Sequence, residues 1–224
     1  MNEIKIDKII RSKRSTVSIQ INEDNKLVVR APYKLNENEI YKIVQKHKKW
    51  IEKKQKEIEE RNKKYIPKKF INGEQFLYLG NYYPLIILNE QNQSLIFDNA
   101  FFLSKNLISC AREIFINWYK AKALSEITNR AFYYSNKYGF EFSKIKISNA
   151  KTRWGSCSHK GNIYINWTLI MAPEDILDYV IIHELVHLEI PNHSKAFWNR
   201  LEIIYPNFIE AKKWLRDNAN LLKI

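Results

Sequence analysis

The sequence predicts an α+β chain: a β-rich N-terminal part with one long basic helix, then a mostly helical part with a small sheet. Three observations predict it. Apolar residues alternate with polar ones near the N-terminus, with Val17, Ile19 and Ile21 on one face. They recur at helical spacing between Ile40 and Ile51 and again across residues 106–138. Hydrophobic residues make up 45% and aromatics 13% of 224 positions, enough to build a core and to exclude a disordered chain.

Residues 4–10 and 15–21 read as strands, and 27–30 as a third that ends at Pro32. Asn36 with Glu39 forms a capping box, and Ile40, Ile43, Val44, His47 and Ile51 carry a helix to about Tyr65, before Pro67. His47 reads as a half-buried core residue of that helix, and Trp50 lies near its apolar stripe. Short strands are expected at 76–79, 83–88 and 95–97. A helix over 106–138 turns Ile108, Phe115, Trp118, Leu124, Ile127 and Ala131 inward and stops at Gly139. Residues 144–149 form a strand, and 153–157 with 162–169 form a hairpin around a turn-like insert. Ala172-Pro173-Glu174-Asp175 then opens a helix, with proline suited to the first turn and acids to the positive end of the dipole. The domain boundary is expected near residue 104, separating 1–104 from 105–224.

Net charge is +13, and its distribution is uneven: residues 1–70 hold 20 of the 37 Lys/Arg but 10 of the 24 Asp/Glu. Such a basic region can bind nucleic acid or another polyanion, the alternative being a solvated lysine-rich surface. Two cysteines, Cys110 and Cys157, are too few for a disulfide framework. No apolar run reaches the roughly eighteen residues of a membrane helix, and the N-terminal residues do not read as a signal peptide. A cytoplasmic protein without a membrane partner is the expectation.

His183-Glu184-Leu185-Val186-His187 carries the chemistry. Residues four apart on a helix differ by about 40° around the axis, so both imidazoles can share one metal, with Glu184 beside them. Imidazole ligands suit Zn2+, and a catalytic zinc has three protein ligands and one open position. His193 is the third ligand expected: Pro191 ends the helix, and a turn at Pro191-Asn192 can return the chain to the metal. By chance the two-histidine motif alone arises in on the order of one such chain per hundred. The segment is apolar on most sides, so Glu184 is buried and needs a partner. Glu202 and Glu189 are the competing third ligands.

Arg153-Trp154-Gly155-Ser156-Cys157, Asn166-Trp167, the histidine motif, Asn192-His193-Ser194 and Phe197-Trp198 together resemble the YgjP-like family of metal-dependent hydrolases, itself related to SprT-like and other zincin metallopeptidases. The resemblance is strongest over residues 145–200; Val29-Arg30-Ala31-Pro32 and Trp50-Ile51 also fit it. It implies a zincin-like C-terminal core: an active-site helix, a ligand-bearing turn, and a sheet whose edge strand, around residues 153–157, faces the cleft. One branch of the family is named a UTP pyrophosphatase, so the substrate stays open between a peptide or protein and a nucleotide. The histidine spacing also matches the metzincins. However, Ile190 stands where they have glycine, and both methionines precede the motif.

The expected mechanism is hydrolysis by metal-activated water, with Glu184 as general base. Arg153 is a candidate second electrophile or substrate anchor, the alternative being a surface salt bridge. Trp154, Trp167 and Trp198 read as packing the site walls, Asn192 as fixing the turn, and Cys157 as a small buried strand residue. Three readings follow: a peptidase, a nucleoside triphosphate hydrolase, and a nucleic-acid-binding protein with a structural metal.

Overall fold

The alternating N-terminal segments pair as a sheet in the computed structural model, which describes residues 4–22, 24–63 and 67–224. Strands β1 (Lys8–Ser12), β2 (Ser18–Ile21) and β3 (Leu27–Pro32) stand in the order β1-β3-β2, the first pair parallel and the second antiparallel. Leu27, Val29 and Ala31 of β3 are fully buried with Ile40 and Val44 of α1 (Glu37–Lys46) and Ile51 of α2 (Lys48–Lys63). The capping box at Asn36 and Glu39 forms as expected.

The single long helix does not form. It breaks at His47 (φ −99°, ψ 13°), and the 47 N–H bonds the Val44 carbonyl at 3.0 Å. Ile40, Val44 and Ile51 stay buried on both sides of the break, so the apolar period carries no sign of it. His47 is exposed rather than part of the core, and Trp50 beside it is 47% exposed. The expected helix end at Tyr65 lies outside the described residues.

The chain divides into two units, Met1–Ile66 and Pro67–Ile224, instead of near residue 104. In the second unit β4 (Gln75–Tyr78), β5 (Asn81–Leu88), β6 (Leu95–Phe97) and β7 (Phe101–Ser104) form a sheet in the order β4-β5-β7-β6. This sheet packs on the helix that follows it. Phe76 stacks on Phe115 at 4.3 Å, and the Tyr119 hydroxyl donates to the Leu77 carbonyl at 2.6 Å. Strand β7 lies beyond the expected strands: its Phe-Phe-Leu-Ser sequence has no polar alternation, since three of its four residues are buried.

Helix α3 (Ala111–Tyr138) follows a 3-10 segment at Lys105–Cys110 and stops at Gly139 in the left-handed region (φ 76°), as expected. Its buried residues are Ala111, Phe115, Tyr119, Ala123, Ile127, Ala131 and Ser135. A strict spacing of four drifts about 40° per step, so the buried stripe winds around the helix. It can do so because α3 touches β6 and β8 as well as a second helix. Ile108 and Leu124, expected inside, are 37% and 46% exposed.

Strands β8 (Lys144–Ser148), β9 (Gly155–Cys157) and β10 (Asn162–Asn166) form a third sheet in the order β8-β10-β9, which leaves β9 at an edge. The Asn166 side chain accepts from the Thr168 N–H at 3.1 Å and turns the chain into a 3-10 segment, so β10 ends earlier than 169. Helices α4 (Glu174–Glu189), α5 (Lys195–Ile204) and α6 (Phe208–Asn218) complete the unit. Helix α4 is apolar on most sides because α3, β9, α5 and α6 all pack on it. Arg130 of α3 ties it down through Asp178 at 2.8 Å and through Glu174, with Glu126 at 2.7 Å. Among the described residues the fold is mixed α+β, with six α-helices and three small sheets, and no helix is long and apolar enough to cross a membrane.

Candidate metal centre

The four-residue spacing on α4 puts His183 and His187 side by side, ring centroids 5.0 Å apart. Ile190, ahead of Pro191, is extended (φ −129°, ψ 99°) and ends the helix. The Asn192 side-chain oxygen then accepts from the Ser194 N–H at 3.2 Å, closing the turn that brings His193 back. His193 Nε2 lies 3.0 Å from His183 Nε2 and 3.1 Å from His187 Nε2. The turn therefore delivers the His193 ring to the two imidazoles of the helix.

Two neighbours hold these rings. The His187 Nδ1–H donates to the Ile190 carbonyl at 3.0 Å, which leaves the Nε2 lone pair directed at the cluster. Trp198 donates its indole N–H to the His193 carbonyl at 3.1 Å and stacks on the His193 ring at 5.4 Å. Burial, then the charges of His187, His193 and Lys212, holds the His183 imidazole down to about 3, so it is neutral at pH 7. His193 is lowered as well, by burial, His187 and Lys212.

The donor set fits a divalent metal. Imidazole nitrogens on a tetrahedral zinc, each about 2.0–2.1 Å from the ion, stand about 3.3–3.4 Å apart, close to the observed separations. One ring N–H cannot satisfy both short contacts of His193 well, whereas a cation accepts all three lone pairs. His183 Nδ1 and Glu184 Oε2 are buried without a hydrogen-bond partner among the described residues. Among those residues the three histidines are the group that could hold a metal ion.

Glu184 is 5% exposed, and its carboxyl is pushed up to about 8 by burial, against the opposing charge of Arg153. It lies flat against Gly155 of β9, where a Cβ would stand 2.5 Å from Oε1 and 2.6 Å from Cγ. Only glycine at 155 leaves room for the carboxylate. The Cys157 thiol is raised by burial and then by Glu184.

A cleft of about 680 Å³ opens over this group, with β9 among the segments that line it. Arg153, Trp154, Cys157 and Trp198 line it too, and Cys157 is half-buried rather than core. Trp167 does not line it: the ring is buried and its N–H bonds the Asn149 side chain at 2.7 Å. Glu189 is paired with Arg200 at 2.9 and 3.0 Å, and Glu202 is exposed outside the cluster, so neither competes with His193. Tyr179, Lys212 and Arg216 also line the cleft and were not singled out from sequence. Tyr179 stands one helical turn before His183, a spacing that could have found it. Lys212 and Arg216 look like the outer face of a C-terminal helix.

No curated protein matches the chain. Among solved structures, the crystal structure of the metallopeptidase zymogen of Pyrococcus abyssi abylysin is 24% identical, covering 39% of this chain and 89% of that one, with a TM-score of 0.36. The family model described as YgjP-like, metallopeptidase domain, matches residues 15–218, which takes in every element from β2 to α6 and all four residues of the histidine–glutamate cluster. The chain belongs to the YgjP-like family.

Proposed function

We propose that the protein is a zinc metallopeptidase in which His183, His187 and His193 hold the metal and Glu184 is the general base. The observation that carries this reading is the convergence of three Nε2 atoms beside a buried carboxylate in one cleft. Zinc held there supplies a Lewis acid that polarises the scissile carbonyl and makes water acidic near neutral pH. Glu184 takes a proton from the attacking water and passes it to the leaving amine. Burial raises this carboxyl in the metal-free protein, and the positive charge of a bound metal would favour the ionised form that accepts the proton. Edge strand β9 offers free main-chain groups on which an extended peptide can pair.

The test is a pair of variants. Glu184→Gln keeps metal and loses turnover by about two orders of magnitude or more, whereas His187→Ala loses both. Undiminished peptide cleavage by Glu184→Gln removes the general-base assignment. A second reading, hydrolysis of a nucleoside triphosphate, is favoured by the cations lining the cleft. Pyrophosphate release without peptide cleavage, abolished by chelator, would put it first.

A further inference from the structure

The cleft is lopsided in charge. Arg153, Lys212 and Arg216 line it, and Glu184, buried against Gly155, is the one acid among its lining residues. Elsewhere in this unit two partly buried arginines are matched: Arg130 meets three carboxylates and Arg200 grips Glu189 with two hydrogen bonds, while Arg112 makes no salt bridge among the described residues. Arg216 pairs with Asp217 at 2.9 Å on its own helix. Arg153 and Lys212 form no salt bridge among the described residues. Lys212 sits on α6 with its Nζ 4.7 Å from the centre of the Trp198 ring, the ring that stacks on His193. Arg153 sits two residues ahead of Gly155. Two cations from separate elements thus flank a centre that itself takes a divalent cation on neutral ligands.

We infer that the cleft selects peptides carrying a carboxylate close to the bond that is cut, and that Arg153 and Lys212 determine this specificity. The inference rests on the metallopeptidase reading for the meaning of "cut", but recognition is measurable without turnover. A carboxylate fits better than a triphosphate for two reasons. Polyphosphate sites gather many donors at one place, usually a glycine-rich loop or helix N-terminus, whereas here single cations stand apart. The remaining wall is largely apolar and aromatic (Trp154, Tyr179, Val180, Trp198, Leu215), which suits neighbouring peptide side chains. Attraction between lone cations and a carboxylate near a cleft also falls with salt, which gives it a signature.

The experiment uses the full-length, zinc-loaded Glu184→Gln protein and fluorescent peptides identical except for Glu, Gln or Lys at one position, scanned across the sequence. Binding is read by anisotropy at low and at physiological salt. At the best position the Glu peptide binds about tenfold more tightly than the Gln peptide, and the ratio shrinks as salt rises. Lys212→Met and Arg153→Gln each cut the ratio several-fold, and Lys212→Glu turns the preference toward the Lys peptide, an inversion that a misfolded protein cannot give. Equal affinity for the three peptides at every position overturns the inference, as does a preference that survives both neutralising variants. Tight binding of UTP or ATP with no preference among the peptides overturns it in favour of phosphate. Wild-type turnover is scored separately: an acidic preference in binding, with no peptide cleaved, defeats the peptidase reading and leaves the recognition intact.

Discussion

Glu184 and Gly155 form a matched pair, one residue defined by its carboxylate and the other by having no side chain. A Cβ at 155 would overlap Oε1, Cγ and Cδ of Glu184, all within 2.8 Å. Gly155→Ala is therefore expected to push the carboxylate off its seat and lower kcat by about 10²-fold, because misplacing a reacting group by about 1 Å costs that much. Zinc stoichiometry, measured by elemental analysis, should stay at the wild-type value. Combining it with Glu184→Asp, which draws the carboxylate back by one methylene, should cost less than the two single losses multiplied. The histidine motif was legible because helix geometry alone aligns residues four apart. Gly155 was visible as a letter but not as a seat, since that role is a contact between elements almost thirty positions apart. Arg153 was placed in the cleft from sequence, while Lys212 went unnoticed for the same nonlocal reason.

Among the elements, the segment between α4 and α5 holds His193, the proposed ligand that helix geometry does not supply. Asn192 closes it through one hydrogen bond to Ser194. Asn192→Ala should weaken zinc binding about tenfold, with activity recovering when zinc is added in excess; competition with a chromophoric chelator measures the shift. Helix α4 is also anchored through Arg130. Removing that guanidinium takes the ion-pair partner from Asp178, 17% exposed, and from Glu126, leaving Asp178 its hydrogen bond with Tyr134. Arg130→Met is expected to lower stability by about 2 kcal/mol, read from the urea midpoint, while turnover per bound zinc holds. Helix ends were readable where a residue type dictates them, as at Asn36, Gly139 and Pro191. The break at His47 was not, because burial continues unchanged across it. The inward face of α3 was misread because its stripe winds around the helix to meet several partners.

At the scale of the molecule, the division after Ile66 was hidden because the aromatics of β4 to β7 find their partners in Phe115, Trp118 and Tyr119, beyond the expected boundary. The α+β class and the uneven charge needed only composition and period. Stability against pH is likewise a property of the whole chain. In zinc-free protein the Glu184 carboxyl is raised from 4.5 to about 8, so it contributes fully below 4.5 and loses that contribution as pH climbs toward 8. His183 is lowered from 6.5 to about 3, so it contributes fully above 6.5 and loses this as pH falls toward 3. Between 4.5 and 6.5 the two slopes oppose; above 6.5 only the Glu184 loss continues. Chelated Glu184→Gln should therefore gain in Tm over chelated wild type as pH rises from 6.5 to 8. A constant Tm gap across that window would contradict the assignment.

Two of the three imidazoles belong to α4, and the third precedes α5 by one residue, Ser194. An ion held by all three is thus a clasp between consecutive helices, and its occupancy becomes part of how tightly this stretch of chain is closed. At a hundredfold excess over its dissociation constant a ligand adds about 2.7 kcal/mol to the folded state. Here much of that gain should fall on residues 191–198, where backbone amides would exchange with deuterium slowly in the loaded protein and quickly after chelation. The clasp makes amide exchange in this short segment a reporter of metal occupancy that needs no substrate at all.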